Sequence, residues 1–356
     1  MTPTALVLFL LAQAPSPKQT FDNAAAALAR QDYAAAEAGF QEVLKTQPGH
    51  IGALGNLGVV YSRQERFEEA TAVYRRALKL APTDAGLLLN LGLALLKQNR
   101  YKEARPPLDQ FVRLQQGHRQ GTELLATAQL YTGETAAAVS ALERLDQTPG
   151  VLFLLSLAYL KQGDRPAAAR AFESLESSLP KEQAAYLRGK AFYESGLFDE
   201  AQRDLEPAAE MLLDARRELG KVYVSIRKQQ EAETQFRDVL RRKAGDRESA
   251  YFLGALLVER GEFTEGEQLL RAADPGFWGT HYYLGKSALK QQRTTDATRS
   301  LKRADELQPD DPNVLYQLLR AHQAAGEGSQ AAKVAGRLKN VREKQRQGEQ
   351  AGLVLR

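Results

Sequence analysis

The strongest constraint on this chain is a recurrence with a period near 34 residues. A small residue returns at Ala24, Gly58, Gly92, Ala126, Ser156, Gly189, Gly220, Gly254 and Gly285, with Leu319 as the exception that closes the series. Successive spacings are 34, 34, 34, 30, 33, 31, 34, 31 and 34. Twelve residues after each stands a second small residue: Ala36, Ala70, Ala104, Ala138, Ala168, Ala201, Ala232, Gly266, Ala297 and Ala331. Four further on comes a large apolar residue, Phe40, Tyr74, Leu108, Leu142, Phe172, Leu205, Phe236, Leu270 and Leu301, before Ala335 ends the row. A fixed period of this length marks one supersecondary unit stacked on itself. It also resolves a problem of size. The 356 residues exceed the roughly 250–300 that a single core can serve, whereas stacked units each bury an apolar face only against their neighbours.

Each unit reads as two helices. In the second, Leu54, Leu57, Gly58 and Tyr61 follow the i, i+3, i+4, i+7 spacing of one helix face. Phe67, Ala70, Tyr74 and Ala77 mark a second helix, which Pro82 stops because proline cannot extend the hydrogen-bond ladder. Pro48, Pro180 and Pro309 stand at corresponding unit ends. Paired small residues let the two axes approach closely, since side-chain size sets interhelical distance. Gly133, Gly163, Gly196, Gly261 and Gly326 fall between the helices, where glycine suits the left-handed end of a helix. Units four, six and eight are short, and Pro106, Pro107 and Pro207 fall inside second helices, where they are expected to kink them.

The order of small residue, aromatic, alanine, second aromatic and terminal proline resembles the tetratricopeptide repeat, and Leu57-Gly58, Tyr61, Phe67, Ala70, Tyr74, Ala77 and Pro82 carry the resemblance best. It implies an all-α, right-handed superhelical solenoid of about ten antiparallel helix pairs. The expected organisation is a signal peptide over 1–14, a solenoid over 15–344 and a basic C-terminal tail over 345–356. Units are expected to start near residues 17, 51, 85, 119, 149, 182, 213, 247, 278 and 312.

Composition removes most chemistry. There are no cysteines, so thiolate metal sites and cysteine nucleophiles are excluded. His50, His118, His281 and His322 lack metal-ligand spacing. No nucleophile elbow or phosphate loop is present, and Glu194 and Glu259 read as solvated helix residues. No metal, no cofactor and no enzymatic activity are expected. The net charge of +4 belongs to the C-terminus: from Arg337 onward there are six basic and two acidic residues, and the rest of the chain balances 42 against 42. A neutral body lacks the electrostatic footprint of a nucleic-acid binder, so the pentatricopeptide alternative, with one RNA base per unit, is set aside.

What remains is surface. The resemblance implies that first helices line a concave face where partner proteins lie as extended peptides or helices. At 100° per residue, the positions three before, one after and four after each first-helix small residue share one face. Early units make it an apolar groove, with Val59 and Ser62, then Leu89, Leu93 and Leu96, then Phe153, Leu157 and Leu160. Later units place Tyr186, Arg217, Tyr251, Tyr282 and Tyr316 three before, and Lys190, Lys221, Lys286 and Arg320 one after. Tyrosine beside a cation suits an extended acidic peptide. Replacing Lys190, Lys221 and Lys286 by Glu is expected to weaken binding while leaving folding unchanged. The carboxylate clamp of chaperone-binding relatives is matched at Asn56 and Asn90 and unmatched at Gly55, Val59 and Phe21.

The function expected is a non-enzymatic protein–protein interaction scaffold or adaptor, exported to a bacterial-type cell envelope and thus periplasmic or secreted. Two alternatives stay open: an accessory subunit of envelope polysaccharide or secretion machinery, and a cytoplasmic adaptor that keeps its N-terminus. Export rests on the apolar run Ala5 to Ala12, followed by Ala12-Gln13-Ala14, a small-x-small cleavage pattern; the run is too short for a span of about 20 residues. The mature chain is expected to begin near Pro15 or Ser16 and to fractionate outside the cytoplasm. N-terminal mass spectrometry checks this, and intact Met1 or Thr2 on cytoplasmic molecules would refute it.

Overall fold

The computed structural model describes residues 16–354, with side chains to Gln347; the signal-peptide expectation for 1–14 lies outside the described residues. It contains α-helices and, among the described residues, no strand. The chain divides into two compact units between Glu134 and Thr135. The first holds α1 (Pro17–Ala29), α2 (Tyr33–Thr46), α3 (Ile51–Arg63), α4 (Phe67–Leu80), α5 (Ala85–Lys97), α6 (Tyr101–Leu114) and α7 (Arg119–Thr132). The second holds α8 (Thr135–Leu142), α9 (Pro149–Gln162), α10 (Arg165–Ser178), α11 (Lys181–Glu194), α12 (Phe198–Met211), α13 (Leu213–Ser225) and α14 (Gln229–Arg242). It continues through α15 (Arg247–Arg260), α16 (Phe263–Ala272), α17 (Trp278–Lys290), α18 (Thr294–Leu307), α19 (Pro312–Ala324) and α20 (Gly328–Val354). Within each unit, helices pair with their sequence neighbours, as in an all-α solenoid.

The periodic residues form the seam of each pair. A Cβ added to Gly58 would lie 2.3 Å from the Tyr74 ring, one on Gly92 2.4 Å from Leu108, and one on Gly220 2.7 Å from Phe236. Each large residue of a second helix therefore fills the space that the first helix leaves open. Ala36, Ala70, Ala104, Ala201, Ala232 and Ala297 are fully buried at 0% exposure, where any larger side chain would separate the axes.

Every first helix ends the same way. The residue at the cap or just after it is left-handed, and the next N–H reaches back to the carbonyl five residues earlier, as Arg66 N does to the Tyr61 carbonyl at 2.8 Å. This is the Schellman motif. Glycine holds the left-handed position at Gly133, Gly163, Gly196, Gly261 and Gly326, but Gln31, Glu65, Asn99, Arg227 and Gln292 adopt it too, with φ of 57–63°. Six of the first helices, α1, α3, α5, α7, α15 and α19, are capped at their N-termini by side chains. Asp84, Asp246 and Asp311 supply carboxylates, and His50 and His118 supply Nδ1 to the amides of Ala53 and Gly121 at 3.0 and 3.2 Å.

The short units differ in what they lose. Units four and eight shorten the second helix, so that α8 has 8 residues and α16 has 10. Unit six keeps its 14-residue α12 and gives up the linker, leaving Leu212 alone before α13. Pro106, Pro107 and Pro207 lie inside helices that run on without a break in the assigned segments. The boundary expected at 344/345 falls inside α20, whose first turns bury Val334 and Leu338 beside α19.

Two substitutions follow from the seam and the turns. Gly58→Ala should cost about 1–3 kcal/mol, the usual effect of overpacking, because the Tyr74 ring must move. Gln292→Gly should gain about 1 kcal/mol by removing a left-handed non-glycine residue. Urea unfolding with circular dichroism measures both, and a loss of stability from Gln292→Gly would contradict the turn analysis.

Candidate interaction surface

The structure brings the late stripe together where successive first helices meet. Lys221 on α13 places Nζ 2.7 Å from Glu218 on its own helix, 3.1 Å from Glu248 on α15, and 5.2 Å from the centre of the Tyr193 ring on α11. Arg217 bonds Asp214 at 2.8 Å and reaches Asp246 and Glu248 at 2.9 and 3.0 Å. Lys286 on α17 meets Glu259 on α15 at 2.5 Å and lies over the Tyr283 ring. Lys190 on α11 sits 5.5 Å from the centre of the Phe153 ring on α9, and Arg320 approaches the Gln317 side chain at 3.4 Å. Among the described residues, Lys190 and Arg320 are the members of this stripe with no carboxylate partner.

This geometry corrects the electrostatic reading. The stripe is basic in sequence but compensated in space, because the next helix supplies carboxylates from Asp246, Glu248 and Glu259. Burial works against the Lys221 ammonium, yet Glu218 and Glu248 outweigh it and hold Lys221 above its ordinary pKa. Asp246 is likewise buried, and hydrogen bonding from Ser249 together with the Arg217 charge holds its carboxyl below the usual range. The Lys221 side chain is only 14% exposed. Lys221→Glu would therefore set three carboxylates against one another, and folding cannot be indifferent to it. Glu194, expected to be solvated, is half-buried, and burial followed by the Glu218 carboxylate pushes its carboxyl up to about 7.

The aromatic residues form a belt. Tyr251 packs against Phe277 at a centroid distance of 4.8 Å and against Tyr283 at 6.1 Å, and Trp278 and Tyr282 continue the chain at 6.0 Å. Burial pushes the hydroxyls of Tyr186 and Tyr283 up to about 12, with nearby carboxylates adding to the effect. Tyr316 stays 45% exposed. Of the apolar groove, Leu89, Leu93 and Leu96 are half-buried in the first unit, and Phe153 and Leu160 are half-buried in the second. Leu157 is a correction: at 1% exposure it belongs to the core, since α9 turns it toward neighbouring helices.

Sequence reasoning missed Glu218, Glu248 and Glu259 as parts of this surface, and with them Tyr193, Phe277, Trp278 and Tyr283. A signal for the carboxylates exists, because the Lys221–Glu248 and Glu259–Lys286 pairs are each 27 residues apart, slightly less than one repeat.

The sequence matches tetratricopeptide-repeat profiles over residues 27–76 and 58–99, and a third profile over 89–151, 153–209, 186–236 and 217–279. No curated protein matches the sequence. Among solved structures, the fold is similar to a tetratricopeptide repeat protein from Parabacteroides merdae, at 14% identity and a TM-score of 0.56 over 68% of this chain and 98% of that one. PilW, a type IV pilus biogenesis factor, aligns at 19% identity and a TM-score of 0.44, over 56% of this chain and 94% of its own. MamA from Desulfovibrio magneticus aligns at 18% and 0.40, over 48% and 97%. Among the described residues no helix is long and apolar enough to cross a membrane. With one profile alone spanning more than half of its residues and Gly/Ala seams repeated in both compact units, the chain belongs to the tetratricopeptide repeat family.

Proposed function

We propose that this chain is a non-enzymatic interaction scaffold, acting outside the cytoplasm, whose second unit holds a segment of a partner protein along its first helices. Membership in the repeat family supports a protein-binding role. The observation that carries the location is the first-helix stripe from Tyr186 to Arg320. It presents partly exposed tyrosine rings and two cations, Lys190 and Arg320, that no carboxylate among the described residues pairs with. Exposed aromatic and cationic side chains on one face are the usual composition of a binding patch. The outer, second-helix surface differs: Arg237 of α14 and Arg337 of α20 are tied to Glu265 of α16 and Asp305 of α18. Export rests on the sequence alone, through the apolar run Ala5 to Ala12 and the Ala12-Gln13-Ala14 pattern that follows it.

Because the stripe is mostly charge-compensated, the partner segment is selected by shape and hydrogen bonding, with acidic groups favoured only beside Lys190 and Arg320. A photo-crosslinking residue at Tyr316 should capture a partner, whereas one at the solvent-facing Arg299 of α18, 74% exposed, should not. Lys190→Glu combined with Arg320→Glu should weaken that capture about tenfold, a loss of one or two charge-assisted bonds, and leave the melting temperature unchanged. Equal yields from Tyr316 and Arg299 would remove the first-helix face as the binding surface.

A further inference from the structure

The excess charge of this chain sits on a helix that the first-helix face does not use. α20 has 27 residues and its partner α19 has 13. At 1.5 Å per residue, α20 projects about 20 Å past the end of α19. Its packed row, Ala331, Val334, Leu338 and Val341, would continue at residues 345 and 348, where the sequence has Gln345 and Gly348. The apolar contact therefore stops at Val341, and the turns after it are polar.

Those turns are also basic. Between residues 333 and 347 stand Lys333, Arg337, Lys339, Arg342, Lys344 and Arg346 against one acid, Glu343. Asp305 of α18 and Asp310 after it answer Arg337, and Glu343 lies 3.9 Å from Lys339. Lys333, Arg342, Lys344 and Arg346 are exposed and have no carboxylate partner among the described residues. Residues 1–336 balance 42 basic against 42 acidic side chains, so the body of the chain does not offset these cations.

The sequence of the projecting half selects what meets it. A stable protein–protein contact buries a contiguous apolar core inside its polar rim, and Arg342-Glu343-Lys344-Gln345-Arg346-Gln347 offers no such core. Attraction to a surface of spread negative charge requires none, since each Lys or Arg held near an anionic membrane tightens binding about fivefold. The apolar residues come later and separately, in Leu353-Val354-Leu355. A bilayer surface has the same order, with phosphates outside and hydrocarbon within. A nucleic-acid backbone would attract the cations but has no hydrocarbon to receive the apolar residues.

We infer that the projecting half of α20 attaches this protein to a membrane surface rich in anionic phospholipid. Arg342, Lys344 and Arg346 meet the phosphates, and Leu353, Val354 and Leu355 enter the boundary beneath them. This is attachment and not a span: a polybasic segment and a short apolar one are each weak alone and bind in combination. It is independent of what the first-helix face holds.

The test sediments the full chain with vesicles of phosphatidylcholine, and with vesicles in which phosphatidylglycerol replaces about a third of that lipid. The protein should pellet with the anionic vesicles alone, and raising salt from about 0.05 M to about 0.5 M should release it by screening. Arg342→Gln, Lys344→Gln and Arg346→Gln together should weaken binding about a hundredfold. Glutamine is a good helix former and these positions touch no core, so the circular dichroism spectrum should not change. Removing three exposed cations elsewhere, by Lys79→Gln, Lys102→Gln and Arg144→Gln, should alter binding by less than about twofold. Leu353→Ser with Leu355→Ser should weaken it about tenfold, and a serine pair that binds as well as the wild type would overturn the membrane assignment. Equal losses from the two glutamine sets, equal binding to both kinds of vesicle, or no binding to anionic vesicles at low salt would overturn the inference. Duplex DNA or polyglutamate bound through the same three cations, without vesicle binding, would overturn it too and assign the helix to nucleic acid or to an acidic protein.

Discussion

Most of the helix pairs depend on a side chain that is missing. Where Gly58, Gly92, Gly220 and Gly285 face the second helix, the ring or branched chain of Tyr74, Leu108, Phe236 and Leu301 occupies the space a Cβ would need. The large residue cannot sit there unless the axes are close, and the axes can be close only because the alanine between them is small as well. Packing at this density transmits orientation. Once the seam is seated, the residues three before and one after the small residue are turned outward in most pairs, Leu157 and Ala255 being the buried exceptions. The surface that could meet a partner is thus a consequence of the core.

That surface is held together by electrostatics within the fold. Arg217 and Lys221 each face carboxylates from their own helix and from the next first helix, and their side chains are mostly withdrawn from water. Removing one member of a buried pair leaves its partner uncompensated and typically costs about 3–5 kcal/mol. These ions therefore bind neighbouring repeats to one another before they could bind anything else. What is left for a partner is the aromatic belt, together with Lys190 and Arg320 at the edges of the compensated region. A stripe that reads as basic along the chain is nearly neutral once folded.

The capping arrangement separates two kinds of information. Half of the left-handed turn residues are glycines and visible as such, and Asn99 is of a type that tolerates the conformation, while Gln31, Glu65, Arg227 and Gln292 take it with nothing in their identity to announce it. Tertiary seating overrides the local preference, since the two helices cannot close without that turn. His50 and His118 make the same point from the other side. As isolated histidines they suggest little, and in place they close helix N-termini with Nδ1.

The all-α repeat architecture was legible because it is periodic: ten recurrences of small, small and large residues can satisfy only one packing geometry, and each is local in sequence. The identity of the outward face was legible too, since Tyr186, Tyr251, Tyr282 and Tyr316 lie at one helical phase. The charge of that face was not, because Glu248 and Glu259 meet Lys221 and Lys286 across a helix boundary, and a count along the sequence does not say which side chains converge. Nor was the fate of Leu157, which shares a phase with Phe153 and Leu160 yet is buried by its neighbours. Periodicity is a property of one helix and survives in the primary sequence. Charge compensation and burial belong to pairs of helices, and they come into existence only when the repeats stack.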